Sequence, residues 1–359
     1  MTPIRLSPTA RILLVRTDRI GDLVLSTPAI RAVRAAFPRG YVAAMVSPVT
    51  RPLVDGLPAL DEVITFDKDR LHHGWRGTWT LVQTLRARRF DLALILHTTN
   101  RVVLLTWLAG IRYRVGYARR LGWLLTHPRP YEKRFGERHE LEYTLDLLRG
   151  AGIPAEDRTL EIASHPEGQG AVAAWLAQAG VASHESLILL HPGASCPSKR
   201  WPAERFAAVA DRLAAARGAA SPRGTRVVVI VGPGDESLAA AVARGARSPL
   251  LIPPRPFTLA ELPWLLRRAQ CLISNDSGPV HLACAVGTPV VAIFGRWGPG
   301  LSPTRWGPTG PRSVVLHHDV GCRPCLAHRC QIHFECLQAV SVEEVVAATD
   351  RLLAPPVPS

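Results

Sequence analysis

The chain has 359 residues, of which 47% are hydrophobic and 20% are charged, and it carries a formal net charge of +14. This composition argues against a disordered or fibrous protein, and the length predicts two globular domains. The positive charge favours polyanionic partners, namely nucleic acid, an anionic membrane face or phosphorylated substrates, without choosing among them.

Hydropathy and cysteine usage lead us to expect a cytoplasmic protein. No apolar run approaches the roughly 18–20 residues that a transmembrane helix requires. The N-terminal segment lacks the small-residue cleavage site of a signal peptide. In a reducing compartment the seven cysteines are expected to be thiols or metal ligands rather than disulfides.

In the first half of the chain, short apolar runs alternate with helical patterns. The predicted strands cover residues 12–15, 42–46, 62–66 and 92–96. The predicted helices cover residues 23–36, about 80–88 and about 140–149. This alternation, with at least one fully apolar strand, is typical of a parallel sheet that helices cover on both faces.

The same alternation restarts after a polar, turn-rich passage at 164–168, so we place two domains at residues 1–165 and 166–359. The predicted strands of the second half cover 187–190, 226–231, 271–274 and 290–294. The predicted helices cover 171–179, 202–217, 236–246, 259–268 and 279–286, with a final helix at about 341–353 that is expected to pack back on the first domain. Both halves therefore predict a doubly wound α/β domain.

Ligands bind beyond the carboxyl ends of the strands in such a sheet, so residues that directly follow a predicted strand are candidate site residues. The first group, 16–22, lies between the first strand and the first helix. Asp22 in this group is either a helix cap for free backbone N–H groups or a base that faces the cleft between the domains.

Two further groups follow strands of the second half. The group 191–202 is a loop of small residues with Lys199, whose charge suits a phosphate; a solvated loop lysine is the alternative. The group 232–236 is a short glycine-containing turn. Glu236 in this turn either accepts hydrogen bonds from a ribose or is an acid favoured by the helix dipole.

The fourth group, 274–281, leads from a strand directly into a helix with Pro279 near its first position. Free N–H groups after Asp276 form a pocket of the size of a pyrophosphate. His281 lies on the first turn of the helix, within reach of the same phosphates. The alternative is a capped turn with a hydrogen-bonded histidine.

These four groups, in this order and spacing, resemble glycosyltransferase family 9, the ADP-heptose:lipopolysaccharide heptosyltransferases. The resemblance covers about residues 10–350, and it is specific because of the loop 191–202 and the Asn-Asp-Ser-Gly-x-x-His pattern at 275–281. It implies a GT-B architecture, in which two Rossmann-like domains face a central cleft. The first domain would hold mainly the acceptor, and the second the nucleotide-sugar.

The resemblance also implies roles for individual residues. The general base of the family matches Asp22. The residues that match the family's donor contacts are Ser195, Lys199, Glu236, Asp276, Ser277, Gly278 and His281. The chain departs from some members before Lys199, where Cys196 and Pro197 follow Ser195 in place of a hydroxyl pair.

The implied reaction is the inverting transfer of a heptose from ADP-heptose to a lipopolysaccharide core acceptor linked to lipid A. Asp22 would take the acceptor's proton, and Lys199, His281 and the helix N-terminus would stabilise the leaving diphosphate without a divalent metal. One alternative is an enzyme of the same fold with another nucleotide-hexose donor or a protein acceptor. A basic nucleic-acid-binding protein is the other alternative, but it does not explain the four groups after strands.

Two segments stay outside this scheme. The cysteines Cys322, Cys325, Cys330 and Cys336 lie within fifteen residues and would either hold a structural zinc or iron ion or be free thiols. Basic and aromatic residues alternate at 110–136, which suits a phosphorylated glycolipid at the inner face of an anionic membrane; solvated loop charge is the alternative. No nucleic-acid partner is expected.

Overall fold

The computed structural model describes residues 4–218, 224–298 and 300–354. The chain divides into two compact units, Met1–Ala163 and Ser164–Ser359. Each unit is built around one six-stranded parallel sheet with helices packed on it. None of the helices in the described ranges combines the length and the apolar character that a bilayer-spanning segment requires.

The sheet of the first unit has the strand order β3-β2-β1-β4-β5-β6. Its strands are β1 (Arg11–Arg16), β2 (Tyr41–Val46), β3 (Glu62–Thr65), β4 (Leu92–Ile95), β5 (Tyr113–Tyr117) and β6 (His127–Arg129). The helices are α1 (Ile20–Val24), α2 (Thr27–Ala36), α3 (Gly74–Ala87), α4 (Asn100–Leu108) and α5 (Glu140–Arg149).

The central strands of this sheet are buried on both faces. Four consecutive residues of β1, from Ile12 to Val15, are at most 2% exposed, and β4 is buried throughout. Such continuous aliphatic runs are stable only where helices cover both faces, which is the parallel arrangement. The helix predicted over 23–36 is divided into α1 and α2, because Ser26 is the N-cap of α2 and Pro28 occupies its first turn, where its missing N–H costs nothing.

The sheet of the second unit has the strand order β12-β11-β10-β7-β8-β9. Its strands are β7 (Ser186–His191), β8 (Thr225–Val229), β9 (Leu250–Leu251), β10 (Cys271–Asn275), β11 (Val290–Ile293) and β12 (Ser313–Leu316). The helices are α6 (Pro166–Gln178), α7 (Ala203–Gly218), α8 (Glu236–Gly245), α9 (Leu262–Arg268), α10 (Gly278–Ala285), α11 (Pro303–Trp306), α12 (Glu335–Gln338) and α13 (Val342–Leu353).

The final helix, α13, begins in a capping box, in which Ser341 and Glu344 satisfy each other's backbone N–H groups. Its buried residues include Val345 and Ala348, which belong to the core of the second unit. The helix packs against α7 and against the strands β10, β11 and β12.

Both sheets have the strand order of a doubly wound Rossmann domain, which confirms the predicted α/β class. In the first sheet the order reverses between β1 and β4, and in the second it reverses between β7 and β10. The connections after these strands leave on opposite faces of the sheet and open a crevice at the carboxyl ends. Ligand-binding residues are therefore expected after these four strands.

Candidate functional site

In the first unit, a buried ion network lies directly after β1. Arg16 ends this strand, and its guanidinium donates to Oδ1 of Asp22 at 2.5 Å and to Oε1 of Glu140 at 3.1 Å. Lys133 donates to the same oxygen of Glu140 at 2.5 Å. The side chains of Arg16, Lys133 and Glu140 are only 4%, 5% and 1% exposed. Burial disfavours the charged guanidinium, but its carboxylate neighbours outweigh this effect and raise the pKa of Arg16.

Asp22 is fixed by this network rather than by a capping role. The residue before α1 is Arg19, so Asp22 lies inside the first turn and is not the N-cap. Its side chain is 15% exposed, which leaves it accessible from solvent. The carboxylate of Glu140 shares the charge of Arg16, so Asp22 is not the only counter-ion of the guanidinium. A carboxylate that is oriented, accessible and only partly neutralised can accept a proton.

Asp18 and His97 follow the neighbouring strands β1 and β4, and Nδ1 of His97 lies 4.0 Å from Oδ2 of Asp18. Oδ1 of Asp18 lies 2.9 Å from Nε of Arg16, and burial raises the pKa of Asp18 to about 7. Nδ1 of His97 lies 3.3 Å from Oγ1 of Thr17, and burial together with the charge of Arg16 lowers the pKa of His97 to about 4. The imidazole is therefore neutral at physiological pH.

Lys133 shows that the basic and aromatic segment at 110–136 is not one solvated loop. The segment contains β5 and β6, and Lys133 is buried against Glu140 with its ammonium 4.8 Å from the ring centroid of Tyr117. The ammonium group of Lys133 is therefore paired inside the unit and is too deeply buried to contact a membrane. Lys133 and Glu140 are only seven residues apart, but Arg16, the other partner of Glu140, lies 124 residues before it, so the sequence pattern does not indicate this network.

In the second unit, the loops after β7, β8, β10 and β11 come together because these strands are neighbours in the sheet. The side chain of Asn275, the last residue of β10, connects two of them. Its Oδ1 accepts a hydrogen bond from the N–H of Trp201 at 3.1 Å, and its Nδ2 donates to the carbonyl of Pro192 at 2.8 Å. The loop 192–201 is thereby fixed to the turn after β10.

Two cations and one carboxylate form the charged centre of this site. Oδ2 of Asp276 accepts from Nζ of Lys199 at 2.8 Å and from the guanidinium of Arg296 at 3.1 Å. The side chains of all three residues are at most 11% exposed. Burial lowers the pKa of Lys199, and the charge of Asp276 opposes this shift. The cluster carries one positive charge more than its carboxylate balances, which favours an anionic ligand.

The beginning of α10 lies directly after Asp276. Ser277 is the N-cap residue, and its hydroxyl lies 3.2 Å from Nδ1 of His191 and 3.0 Å from the hydroxyl of Ser274. Because the side chain of Ser277 contacts these two residues and does not cap the helix, the backbone N–H groups of Ser277 and Gly278 can bind an anion. Pro279 has no N–H, and that of Val280 donates to the carbonyl of Ser277 at 3.2 Å. Burial lowers the pKa of His191 to about 4, which keeps this imidazole neutral. His281, on the first turn of α10, is 4% exposed.

The other two residues matched to donor contacts are at the surface. Ser195 and Glu236 are exposed, in contrast to Lys199 and Asp276. Oε1 of Glu236 accepts a hydrogen bond from the N–H of Gly234 at 3.1 Å, and such backbone hydrogen bonds lower the pKa of this carboxyl. The loops that carry Ser195 and Glu236 are joined by the ion pair of Arg200 and Asp235, at 3.0 Å.

The four clustered cysteines, together with Ser198 and Arg296, line a cavity of about 210 Å³. In the described parts of the chain, no group of three or more His, Cys, Asp or Glu side chains is arranged to hold a metal ion. Sγ of Cys330 accepts a hydrogen bond from the N–H of Phe334. The structure therefore does not support the predicted zinc or iron site at Cys322, Cys325, Cys330 and Cys336.

Comparison with known proteins agrees with the resemblance stated above. A family model described as glycosyltransferase family 9 (heptosyltransferase) matches residues 78–334. The chain is 26% identical over 370 aligned residues to lipopolysaccharide heptosyltransferase 3 of Escherichia coli K12. The alignment covers 94% of this chain and 97% of the relative.

Two solved structures have the same fold. The glycosyl transferase family 9 protein from Veillonella parvula has a TM-score of 0.87 at 25% identity and covers 98% of this chain and 99% of its own. The Escherichia coli ADP-heptose lipopolysaccharide heptosyltransferase II has a TM-score of 0.75 at 22% identity and covers 96% and 98%.

Proposed function

The chain belongs to glycosyltransferase family 9, the heptosyltransferases, and we propose that it transfers a heptose from ADP-heptose to a lipopolysaccharide core acceptor linked to lipid A. It is a glycosyltransferase with a GT-B fold. The observation that carries the specific proposal is the buried, positively charged cluster of Lys199, Arg296 and Asp276 at the N-terminus of α10. The relatives named above support the donor and the acceptor, since they are lipopolysaccharide heptosyltransferases.

We assign donor binding to the second domain, 166–359. The diphosphate would lie between Nζ of Lys199 and the free N–H groups at Ser277 and Gly278, where a point charge and a helix dipole act on the same anion. His281 would contact the same phosphates. At the exposed edge, Ser195 would contact the phosphate and Glu236 the ribose or the base.

We assign acceptor binding and the general base to the first domain, 1–165. Asp22 would take the proton of the acceptor hydroxyl as the new C–O bond forms at the anomeric carbon. The bond between that carbon and the diphosphate oxygen breaks in the same step, and attack from the opposite face inverts the configuration. The proton ends on Asp22, and the negative charge ends on ADP.

The chain's own cations can stabilise this leaving group. The charge that develops on the diphosphate meets Lys199 and the N–H groups of α10, which are in place before the reaction. Preorganised donors of this kind replace the cation that some glycosyltransferases use, so we propose that transfer requires no metal.

We further propose that the first domain contacts the anionic inner face of the membrane, where the acceptor's lipid would lie. Trp75 and Trp123 are 75% and 76% exposed, and Trp79 is 46% exposed. The guanidinium of Arg76 lies 5.3 Å from the ring centroid of Trp75, and that of Arg86 lies 5.2 Å from that of Trp79. Exposed tryptophan beside arginine suits the headgroup region of an anionic bilayer.

A panel of nucleotide-sugars tests this function. Ligands that bind the folded protein raise its melting temperature, so ADP-heptose is expected to raise it more than UDP- or GDP-hexoses at equal concentration. Release of ADP should then require a lipopolysaccharide acceptor that lacks the heptose. A larger shift with another nucleotide-hexose would replace the proposed donor, and transfer to a protein but not to lipopolysaccharide would replace the proposed acceptor.

A further inference from the structure

We propose that Arg296 is a second cation for the donor's diphosphate and that it acts beside Lys199 as a clamp. This inference rests on the proposed function, because it names a further residue of the same donor site. Arg296 is absent from the four groups that sequence analysis selected, although it follows a predicted strand just as they do.

The position of Arg296 is fixed by the sheet. It lies three residues after the end of β11, which is the neighbour of β10. The N–H of Asp276 donates to the carbonyl of Ile293, the last residue of β11, at 3.0 Å. The chain after β11 is thereby held against the turn that begins α10, so Arg296 approaches the phosphate site from a loop different from that of Lys199.

The charges of the cluster are incomplete without an anion. A single oxygen, Oδ2 of Asp276, accepts from both Lys199 and Arg296. The side chain of Arg296 is 8% exposed, so solvent screens its charge poorly. Repulsion from Arg296 also contributes to the lowered pKa of Lys199, after burial. A bound diphosphate would neutralise the excess positive charge that the two side chains share.

Arg296 also has an N–H group that donates no hydrogen bond to the described residues. Its Nε is buried and has no hydrogen-bond partner among the described residues. A buried donor without an acceptor is unfavourable, and a phosphate oxygen would relieve it. Arginine presents planar donors that can bind two oxygens at once, whereas lysine acts as a point charge, so the two side chains are complementary.

An alternative role for Arg296 must be separated from phosphate binding. The residue lines the cavity beside Cys325 and could support the cysteine-rich segment instead. Calorimetric titration of adenosine, ADP and inorganic diphosphate distinguishes the two roles, because adenosine carries no phosphate. The variants are Arg296→Gln and Arg296→Lys, with Arg312→Gln as a control that removes one positive charge elsewhere in the same unit. The side chain of Arg312 is exposed, and the hydrogen bond described for it goes to the carbonyl of Leu352.

We expect Arg296→Gln to lower the affinity for ADP and for inorganic diphosphate at least tenfold. Its affinity for adenosine should stay within twofold of the parent's, and the melting temperature of the unliganded variant should equal that of the unliganded parent. Arg296→Lys should recover part of the lost affinity, and Arg312→Gln should bind all three ligands as the parent does. Unchanged ADP affinity in Arg296→Gln would overturn the proposal. Equal losses for ADP and adenosine would overturn it too, since they would indicate a supporting role.

The parent protein reports separately on the proposed function. If it binds UDP or GDP but not ADP, the proposed donor is wrong, and the bound nucleotide and its nucleoside replace ADP and adenosine in the comparison. If the parent binds no nucleoside diphosphate, the proposed function fails. Inorganic diphosphate alone then decides the role of Arg296: a tenfold loss supports the anion clamp, and no loss overturns it.

Discussion

Arg16 donates a 2.5 Å hydrogen bond to Asp22 from a guanidinium that is almost completely buried. The pair joins the end of β1 to the first turn of α1, and Glu140 accepts hydrogen bonds from both terminal nitrogens of the same guanidinium, each at 3.1 Å. This arrangement fixes the direction of the Asp22 carboxylate and gives the general-base assignment its clearest test.

We expect Asp22→Asn to reduce turnover by about 10²–10⁴-fold, the usual contribution of a general base. ADP should bind the variant as it binds the parent, because Asp22 would act on the acceptor and not on the donor. The measurements are ADP release and calorimetric titration, with Asp55→Asn as the control, since Asp55 is an acid of the same unit whose side chain is 43% exposed. Equal losses of ADP affinity and turnover would contradict the role of a base.

We expect Glu140→Gln to destabilise the protein by about 3–5 kcal/mol, because removing one partner of a buried ion network leaves the other charges unpaired. The charges left behind are those of Arg16 and Lys133. Denaturant unfolding followed by circular dichroism measures the loss. Glu132→Gln is the control, since Glu132 also forms an ion pair, with Arg138, but its side chain is 55% exposed. A stability equal to that of the parent would show that the network is not needed for folding.

His191 is expected to make stability depend on pH. Burial lowers the pKa of His191 to about 4, whereas an unfolded histidine titrates near 6.5. Between about pH 4 and 6.5 the unfolded state therefore binds more protons than the folded state, and the free energy of unfolding rises with pH. The contribution is fully present above the unfolded pKa and is lost as the pH falls toward 4.

Urea unfolding between pH 4.5 and 7.5 checks this expectation. His191→Asn should have a smaller slope of stability against pH than the parent over this range. His184→Asn is the matched control, because His184 is an exposed histidine of the same unit. The same reduction of the slope in both variants would remove His191 as the cause.

Chelation should leave transfer intact. Lys199 and the N-terminus of α10 supply positive charge to the leaving diphosphate, so EDTA is expected to change turnover by less than twofold. Activity that is lost in EDTA and restored by magnesium would contradict this mechanism. Elemental analysis of the purified protein decides separately whether Cys322 and Cys325 hold zinc or iron.

The central strands of both sheets could be predicted from the sequence, because a strand that is buried on both faces is an uninterrupted run of apolar residues. Strands such as β4 and β7 are continuous aliphatic runs. The strands β5 and β6 were missed, since Tyr113–Tyr117 mixes arginine, glycine and tyrosine, and His127–Arg129 is only three residues long. Both strands fall in the segment that was interpreted as a basic and aromatic surface.

Site residues that directly follow a strand could be predicted from the sequence. Residues that reach the site through an ion pair with a partner far along the chain could not. The rule that selected Asp22, Lys199 and Asp276 could also have selected Arg296, which follows the strand predicted at 290–294. No local pattern indicates that Glu140 pairs with Arg16, because the two residues meet only once α5 packs beside the sheet. Lys133 pairs with Glu140 only seven residues along the chain, but it lies in the segment that was interpreted as a basic and aromatic surface.

Asn275 binds the loop 192–201 only through backbone atoms, the carbonyl of Pro192 and the N–H of Trp201. The two ends of the loop are therefore held without any hydrogen bond from Asn275 to the side chains between them. Cys196 and Pro197, which precede Lys199 where the resemblance implies a hydroxyl pair in some members, lie between these anchors and are not part of them. Substitution of Cys196 or Pro197 would therefore change the side chains beside Lys199 without removing either anchoring atom or the ion pair of Lys199 with Asp276.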